Sequence, residues 1–220
     1  MIITIDGPSG TGKSTVAQKV AKKLGYTYFN TGATYRSLTW FFLKHKIDVE
    51  NVSKVEKALS DFRAGFVYNV KENSYTVSGV DITSLLSSQE ITSHVSQIAA
   101  YPYVRSGMVP IQRDFEEACN NCVFEGRDIG TVVFPEAEVK IFLTASPEER
   151  AKRRLKDFEA SGDKIAYEEV LKAIKERDYR DIHRKVAPLK QADDATVVDT
   201  TELTLDQAVN EILRKVKEAV

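Results

Sequence analysis

One eight-residue motif fixes a strand, a turn and a helix in a set order at the start of this chain. Residues 7–14 read Gly-Pro-Ser-Gly-Thr-Gly-Lys-Ser, which matches G-x-x-x-x-G-K-[ST] at every fixed position. The apolar, β-branched run at 1–6 predicts a buried strand before the motif. Residues 15–24 carry apolar side chains at helical spacing, and Gly25 predicts the end of that helix. A unit of this kind turns several backbone N–H groups toward one anion.

The side chains of the motif predict a site for a nucleoside triphosphate. Lys13 would reach the β- and γ-phosphates, and Ser14 would hold Mg²⁺. The predicted triphosphate-binding residues are Gly7, Pro8, Ser9, Gly10, Thr11, Gly12, Lys13, Ser14 and Thr15. The alternative is a chance glycine turn, which would have no reason to lie between a strand and a helix. We therefore expect the chain to bind ATP or a related triphosphate together with Mg²⁺.

Composition limits the kind of protein that carries this motif. The 220 residues and 42% hydrophobic content suit one domain with lid-like additions. A net charge of −1 gives no general attraction for nucleic acid. The apolar runs are too short to span a bilayer, and the first residues resemble a strand rather than a signal peptide. We expect a cytoplasmic monomer without a membrane or nucleic-acid partner.

Strand and helix patterns alternate along most of the chain. Further strand candidates lie at 26–29, 123–125, 139–143 and 196–199. Capping patterns at Ser146 and Thr204 each open a helix. Alternation of this kind predicts an α/β fold with a five-stranded parallel sheet that is covered on both faces by helices. Ligands of such folds bind at the carboxyl ends of the strands.

Two stretches depart from this alternation. Residues 65–81 alternate apolar and polar side chains around a polar turn at 71–74, which predicts a small antiparallel insertion. Pro110 falls inside the helical pattern of 104–118, and it predicts a kink near Val109.

Cys119 and Cys122 form a Cys-x-x-Cys pair that needs its own interpretation. Redox pairs usually lie at a helix N-terminus, whereas this pair leaves a helix and enters a strand. The histidines at 45, 94 and 183 show no zinc-ligand spacing with the pair. We expect reduced thiols and no zinc site.

Arginines recur at helical spacing near the C-terminal end. Positions 177, 181 and 184 share one helix face, with Arg180 beside it, and an upstream helix carries Arg150, Arg153 and Arg154. Asp181 would hold the neighbouring arginines or accept from a sugar hydroxyl. The alternative is that these helices only present solvent-exposed faces that carry salt bridges, which is common for charged helices. Because the same chain carries a phosphate loop, an arginine-rich lid that closes over phosphates is the preferred hypothesis.

The chain resembles bacterial cytidylate kinases over essentially its whole length. The motif at 7–14 is generic, but Gly-Arg-Asp-Ile-Gly-Thr at 126–131 and Arg-Asp-x-Arg-Asp-x-x-Arg at 177–184 are specific to that family. Residues 31–36 and 96–105 follow the family in the same order. The hairpin insertion also fits, because bacterial members carry an enlarged monophosphate-binding domain.

The resemblance implies a single P-loop kinase domain with three parts. These are a core (1–30, 105–149 and 186–220), a monophosphate-binding domain with the insertion (31–104) and a lid (150–185). The parts would close on MgATP and on CMP or dCMP. By the same resemblance, Lys13, Arg127, Arg154 and Arg184 would be the catalytic residues.

The resemblance also assigns the acceptor-binding residues. Arg36, Arg127 and Arg184 would contact the acceptor phosphate. Ser96, Arg105 and Asp128 would read cytosine, and Arg177 and Asp181 would hold the pentose. Thr31 stands where serine is usual, which leaves the relative use of CMP and dCMP open. Asn30, Glu125 and Pro110 are further departures, and none removes a proposed catalytic group.

Two other classes remain as alternatives. A GTPase switch would need an Asn-Lys-x-Asp motif, which the sequence lacks, and Asp128-Ile129-Gly130 is one residue short of Asp-x-x-Gly. A related kinase that acts on UMP, AMP or a non-nucleotide acid shares the loop and the lid. It need not carry Ser96, Arg105 and Asp128.

Overall fold

The computed structural model describes residues 1–117, 119–162 and 164–219. The chain divides into two compact units. The first unit is formed by Met1–Phe29 with Asn121–Val220, and the second by Asn30–Asn120.

Eight strands and eight helices make up the described secondary structure. The strands are β1 Ile2–Asp6, β2 Thr27–Asn30, β3 Phe66–Asn69, β4 Ser74–Val77, β5 Val80–Asp81, β6 Cys122–Gly126, β7 Val139–Thr144 and β8 Thr196–Asp199. The helices are α1 Lys13–Leu24, α2 Thr31–Lys44, α3 Val52–Gly65, α4 Gln89–Ile98, α5 Pro102–Glu117, α6 Pro147–Ser161, α7 Tyr167–His183 and α8 Leu205–Glu218. A 3₁₀ turn at Thr83–Leu85 and a π-helical turn at Ile129–Val133 complete the set.

The large sheet has five parallel strands in the order β2-β6-β1-β7-β8. Its central strand β1 pairs with β6 on one side and with β7 on the other, so that Asp6 aligns with Gly126 and Phe142. The predicted α/β fold with a five-stranded parallel sheet is confirmed. The phosphate-loop motif begins immediately after the carboxyl end of this central strand.

Helices α1 and α8 cover one face of the large sheet. Ile3, Ile5 and Ile141 point from the strands into this layer, and Val20 and Ile212 meet them from the helices. None of these five side chains is more than 1% exposed, so the layer anchors the strand that precedes the phosphate loop. The predicted start of α8 is confirmed by a capping box between Thr204 and Gln207.

The second unit has its own apolar core and its own small sheet. Leu38, Phe42 and Phe62 are buried where the helices of this unit pack. The predicted hairpin is present as β3 and β4, and β5 adds a third antiparallel strand. Val77 is fully buried, so one face of this sheet contributes to the core.

Several helical features differ from the sequence interpretation. Helices α3 and α4 have no counterpart among the predicted elements. Helix α5 continues through Pro110, and the kink there stays a prediction. The predicted end of this helix at position 118 lies outside the described residues. In the part of the chain that the structure describes, no helix combines the length and apolar character that a bilayer crossing requires.

The expected state of the two cysteines is wrong in this structure. Cys119 and Cys122 are disulfide-bonded rather than reduced. Cys119 follows α5, and Cys122 is the first residue of β6, so the bridge closes a short connection between the two elements. The spacing was visible in the sequence, whereas the oxidation state was inferred from the expected compartment and from the position of the pair away from a helix N-terminus.

Candidate active site

The phosphate loop is shaped by close backbone packing at its first residue. Gly7 has a φ of +151°, and a Cβ at this position would lie 2.0 Å from the carbonyl oxygen of Leu143 in β7. Only glycine fits at this point, where the chain passes from β1 into the loop. Gly12 is the N-cap of α1 and supplies no capping side chain. The first N–H groups of the helix therefore remain available to an anion.

Lys13 is buried at the start of α1, with 6% of its surface exposed. Its Nζ donates to the carbonyl oxygen of Pro8 at 2.6 Å and lies 3.4 Å from Thr11 Oγ1. Burial lowers the pKa of Lys13 well below its usual value, and the charge of Arg127 lowers it further, while Glu125 acts in the opposite direction. A phosphate beside Nζ would offset this desolvation and favour the charged form.

Asp6 supports the site from the carboxyl end of β1. Its Oδ1 accepts from the N–H of Ile129 at 3.0 Å, and its Oδ2 accepts from the N–H of Gly130 at 2.8 Å. Burial raises the pKa of Asp6 to about 6, although the two backbone hydrogen bonds lower it in part. The carboxylate thereby holds the segment that carries Arg127 and Asp128. Sequence reasoning treated Asp6 only as the end of a strand.

Arg127 and Asp181 form a partly buried ion pair between this segment and α7. The Nε of Arg127 donates to Asp181 Oδ2 at 3.0 Å. Burial opposes ionisation of Asp181, but Arg127, Arg177 and Arg184 outweigh it and hold the pKa of the carboxyl below its usual value. The structure thus brings together these four residues, of which helical spacing proposed positions 177, 181 and 184 and the family resemblance proposed Arg127.

Arg184 also lies close to Asp181, but it is not part of the helix as predicted. Helix α7 ends at His183, and Arg184 is its C-cap with an extended backbone. The expectation that Arg184 continues the helical face is therefore wrong. Its Nη2 lies 3.4 Å from Asp128 Oδ1, and its Nε donates to the carbonyl of Ala187 in the turn that follows.

Glu125 adds a further buried carboxylate to this region. It is the fourth residue of β6, is 3% exposed and accepts a hydrogen bond from the hydroxyl of Tyr28 in β2. We define the buried charge cluster as the buried Lys13, Asp6, Glu125, Asp128 and Asp181 together with the partly buried Arg127, Arg177 and Arg184. The set carries equal numbers of cationic and anionic side chains, which compensates for desolvation.

The arginines of α6 differ in exposure and in their hydrogen-bond partners. Arg154 is exposed, and its guanidinium lies 5.0 Å from the ring centre of Phe158 on the same helix. It is not part of the buried charge cluster, and its catalytic role stays a prediction. Arg153 donates to the carbonyl and hydroxyl oxygens of Thr200, while Arg150 donates to the carbonyl of Ser9 in the phosphate loop.

The second unit carries the remaining predicted site residues. Arg105 on α5 is 3% exposed, donates to the carbonyl of Ala99 at 3.2 Å and lies over the ring of Tyr35. Thr31 is buried at the first position of α2, after the N-cap Asn30. Arg36 on α2 and Ser96 on α4 are partly buried.

The donor set suits a metal ion that is held mainly by phosphate and water. Within 1–117, 119–162 and 164–219, no group of three or more His, Cys, Asp or Glu side chains could hold a metal. Ser14 is exposed in the first turn of α1, next to Lys13. Mg²⁺ commonly takes one or two protein oxygens and completes its shell with phosphate and water. Ser14 therefore fits the predicted magnesium ligand.

Comparison with solved structures supports the fold. A protein from Eubacterium ventriosum, titled as uncharacterized, superposes with a TM-score of 0.50 and 13% sequence identity. The match covers 99% of this chain and 98% of that protein. At this identity the likeness shows the architecture alone.

Comparison of sequences identifies the family. A cytidylate kinase of Ligilactobacillus salivarius is 47% identical over 216 residues, which cover 98% of this chain and 96% of that protein. A cytidylate kinase of Fusobacterium nucleatum is 42% identical over 217 residues, which cover 99% of this chain and 97% of the relative. The sequence model described as cytidylate kinase matches residues 3–218. The chain belongs to the cytidylate kinase family of phosphotransferases.

Proposed function

We propose that the enzyme transfers the γ-phosphoryl group of MgATP to CMP or dCMP, giving ADP and CDP or dCDP. The buried charge cluster beside the phosphate loop carries this proposal. Phosphoryl transfer needs in-line placement and positive charge around the moving group rather than covalent chemistry by the protein. Lys13, Arg127 and Arg184 are held where carboxylates already balance them, so phosphate oxygens can share these cations at a small reorganisation cost.

The phosphate loop would bind the donor. The N–H groups at the start of α1 would donate hydrogen bonds to the β-phosphate oxygens. The Nζ of Lys13 would leave the Pro8 carbonyl and contact the β- and γ-phosphates. Ser14 would hold Mg²⁺, which when bound neutralises charge on the two terminal phosphates.

Arg154 would add charge as the phosphoryl group moves, and the segment 150–185 would act as a lid. Slower hydrogen exchange of that segment with a bisubstrate analogue, compared with protein alone, tests the lid.

Arginine side chains would hold the acceptor phosphate. Arg127 uses Nε for Asp181 and Nη1 for the carbonyl of Gly126, and these two bonds fix the plane of its guanidinium. Arg184 and Arg36 would complete the phosphate contacts. The acceptor phosphate is already ionised, so the reaction needs no general base.

The base would be read by groups that match the edge of cytosine. Cytosine offers an amine donor beside a ring-nitrogen acceptor and a carbonyl. Asp128 would accept from the amine, while Arg105 and Ser96 would donate to the acceptors. Arg177 and Asp181 would hold the pentose. Uracil would place a carbonyl against Asp128 and leave buried polar groups unpaired, which is a strong source of discrimination.

A coupled assay of ADP formation tests the proposed function. The enzyme is supplied with MgATP and, in separate reactions, with CMP, dCMP, UMP, AMP or shikimate. We expect CMP and dCMP to be the best acceptors by kcat/KM. A higher kcat/KM for UMP, AMP or shikimate would replace the proposal with a related small-molecule kinase. Chelation of Mg²⁺ should stop the reaction, and unchanged turnover after chelation would refute the magnesium assignment.

A further inference from the structure

Arg150 joins three parts of the first unit through one buried guanidinium group. It is the fourth residue of α6 and is 2% exposed. Its Nε donates to the carbonyl of Ala145 at 2.9 Å, and its Nη1 donates to the carbonyl of Ser9 at 3.0 Å. Both Nη atoms also bind Asp178 on α7, at 3.0 and 2.6 Å. The phosphate loop, α7 and the connection before α6 therefore share one side chain.

The contact with Ser9 orients a backbone N–H of the phosphate loop. The peptide between Ser9 and Gly10 is trans, so its carbonyl and its N–H point in opposite directions. Because Arg150 holds the Ser9 carbonyl, the Gly10 N–H faces away from Arg150. A phosphate loop uses such N–H groups to bind phosphate. The stem of Arg150 also packs on the loop, since a Cβ at Gly10 would lie 3.4 Å from Arg150 Cβ.

The contact with Asp178 fixes the rotation of α7. Two parallel hydrogen bonds from one guanidinium constrain the carboxylate in angle as well as in distance. Asp178 follows Arg177 directly and precedes Asp181 by three positions. The two side chains of the pair are only 3% and 15% exposed, so water screens the pair weakly. A rotation of α7 would therefore disturb both this pair and the buried charge cluster.

A second ion pair links the same two helices without touching the phosphate loop. Lys175 on α7 lies 3.2 Å from Glu148 on α6, and these side chains are 55% and 51% exposed. Exposed pairs of this kind contribute little. The two pairs thus differ in burial and in contact with the loop, while the helices that they join are the same.

We propose that Arg150 is a positioning residue that couples the phosphate loop to α7, so that a bound donor favours the α7 arrangement that binds the acceptor. This inference rests on the proposed function, because it takes the phosphate loop as the donor site and Arg177 and Asp181 as acceptor contacts. In this role Arg150 would act through its hydrogen bonds to Ser9 and Asp178 rather than by contact with a substrate. Its side chain transmits a change at one site to the other.

Equilibrium binding of CMP with and without a non-hydrolysable ATP analogue and Mg²⁺ tests the coupling. In the wild type we expect the analogue to tighten CMP binding at least about fivefold. Arg150→Lys keeps the positive charge but loses the planar guanidinium, which makes several hydrogen bonds at once. The ratio of CMP affinities with and without the analogue, which is the coupling factor, should therefore fall close to one. Asp178→Asn removes the charge partner and should have the same effect. In the double variant the factor should be no lower than in either single variant, because both changes remove one link.

Lys175→Met is the matched control and should keep the wild-type coupling factor. A wild type without coupling, or an Arg150→Lys protein that keeps the full factor, would overturn the inference. So would an Arg150→Lys protein that only melts at a lower temperature, since that result describes a purely structural residue. If Arg150→Lys does not fold, Asp178→Asn decides in the same way. Failure of wild-type enzyme to phosphorylate CMP or dCMP would instead count against the proposed function.

Discussion

The two units of this protein bury different kinds of side chain. Among the described residues, the buried charged side chains of the first unit are Asp6, Lys13, Glu125, Asp128, Arg150 and Asp181. In the described part of the second unit, Arg105 is the one buried charged side chain. The other buried polar side chains of this unit are Gln112 and four hydroxyl-bearing residues. Buried charges cost free energy unless they are paired. The first unit therefore depends on paired buried charges, whereas the second has a mainly apolar core.

The largest effect should come from Lys13, a buried residue of the first unit. Lys13→Ala removes the charge that would face the transferred phosphate, so turnover should fall by at least about a thousandfold. The fold should persist, because Lys13 contributes to the loop rather than to the apolar layer. Lys19→Ala is a matched control, since Lys19 lies on the same helix in an exposed pair with Asp206. Steady-state kinetics measure both variants, and near-normal turnover of Lys13→Ala would refute the phosphate-loop assignment.

The sequence was sufficient for the features that local patterns determine. The strand–loop–helix unit, the parallel sheet and the hairpin follow from motifs and periodicity within short windows. Helices α3 and α4 were not predicted, although their buried apolar residues recur at helical spacing. The end of α7 at His183 was missed because Arg184 fits the helical spacing even though its backbone is extended.

The partners of the buried charges could not be predicted from the sequence. Asp6 binds the backbone of Ile129 and Gly130, more than one hundred positions away, and Arg150 binds Ser9 across a similar separation. No local pattern encodes such contacts. The one available signal was an aspartate at the end of a buried strand directly before the glycine loop. For the second unit, the roles of Arg36, Ser96 and Arg105 stay predictions.

Asp6 should make the stability of the first unit depend on pH. Its folded-state pKa of about 6 lies above the ordinary value of 3.8, so the folded protein holds the proton more tightly than the unfolded chain. The stabilising contribution is complete below about pH 4 and is lost as the pH rises through about 6, a change of about 3 kcal/mol. Asp6→Asn carries no titrating group, so the free energy of unfolding of wild type relative to this variant should fall over that range.

Urea unfolding at several pH values measures this difference. Val197→Thr, at an exposed position on β8 with no titrating group, is the control, and its effect should stay constant over the same range. A constant difference between wild type and Asp6→Asn would show that burial of this carboxylate does not perturb its titration. The buried charges of the first unit would then be better compensated than the contrast between the units implies.

Substitution of Asp128 tests whether the first unit also takes part in recognition of the cytosine base. If it accepts from the cytosine amine, Asp128→Asn should lower kcat/KM for CMP by about one to two orders of magnitude, since hydrogen bonds to charged groups contribute about 1.5–3 kcal/mol. The variant should also narrow the gap between CMP and UMP, because an amide can donate to the uracil carbonyl. The KM for ATP should barely change.

A second possible role for Asp128 is to support a phosphate-binding arginine. Its contact with Arg184 means that it could act by bracing a phosphate-binding arginine. Under that role, CMP and UMP would lose activity by the same factor, and their ratio would stay fixed. The ratio therefore separates base reading from arginine support, whatever the size of the loss.

The smallest effect should come from the apolar core of the second unit. Phe62 is fully buried and packs on Phe41 and Phe66, with ring centres 5.9 and 4.9 Å away. Phe62→Leu keeps an apolar side chain of similar bulk, so it should lower the free energy of unfolding by only about 1 kcal/mol. No ionisable group is removed, and this loss should be equal at about pH 4 and about pH 7. At temperatures where the variant is folded, kcat/KM for CMP should match the wild type. A pH-dependent loss would mean that the second unit's stability is tied to titrating groups, and the contrast between a charged unit and an apolar one would fail.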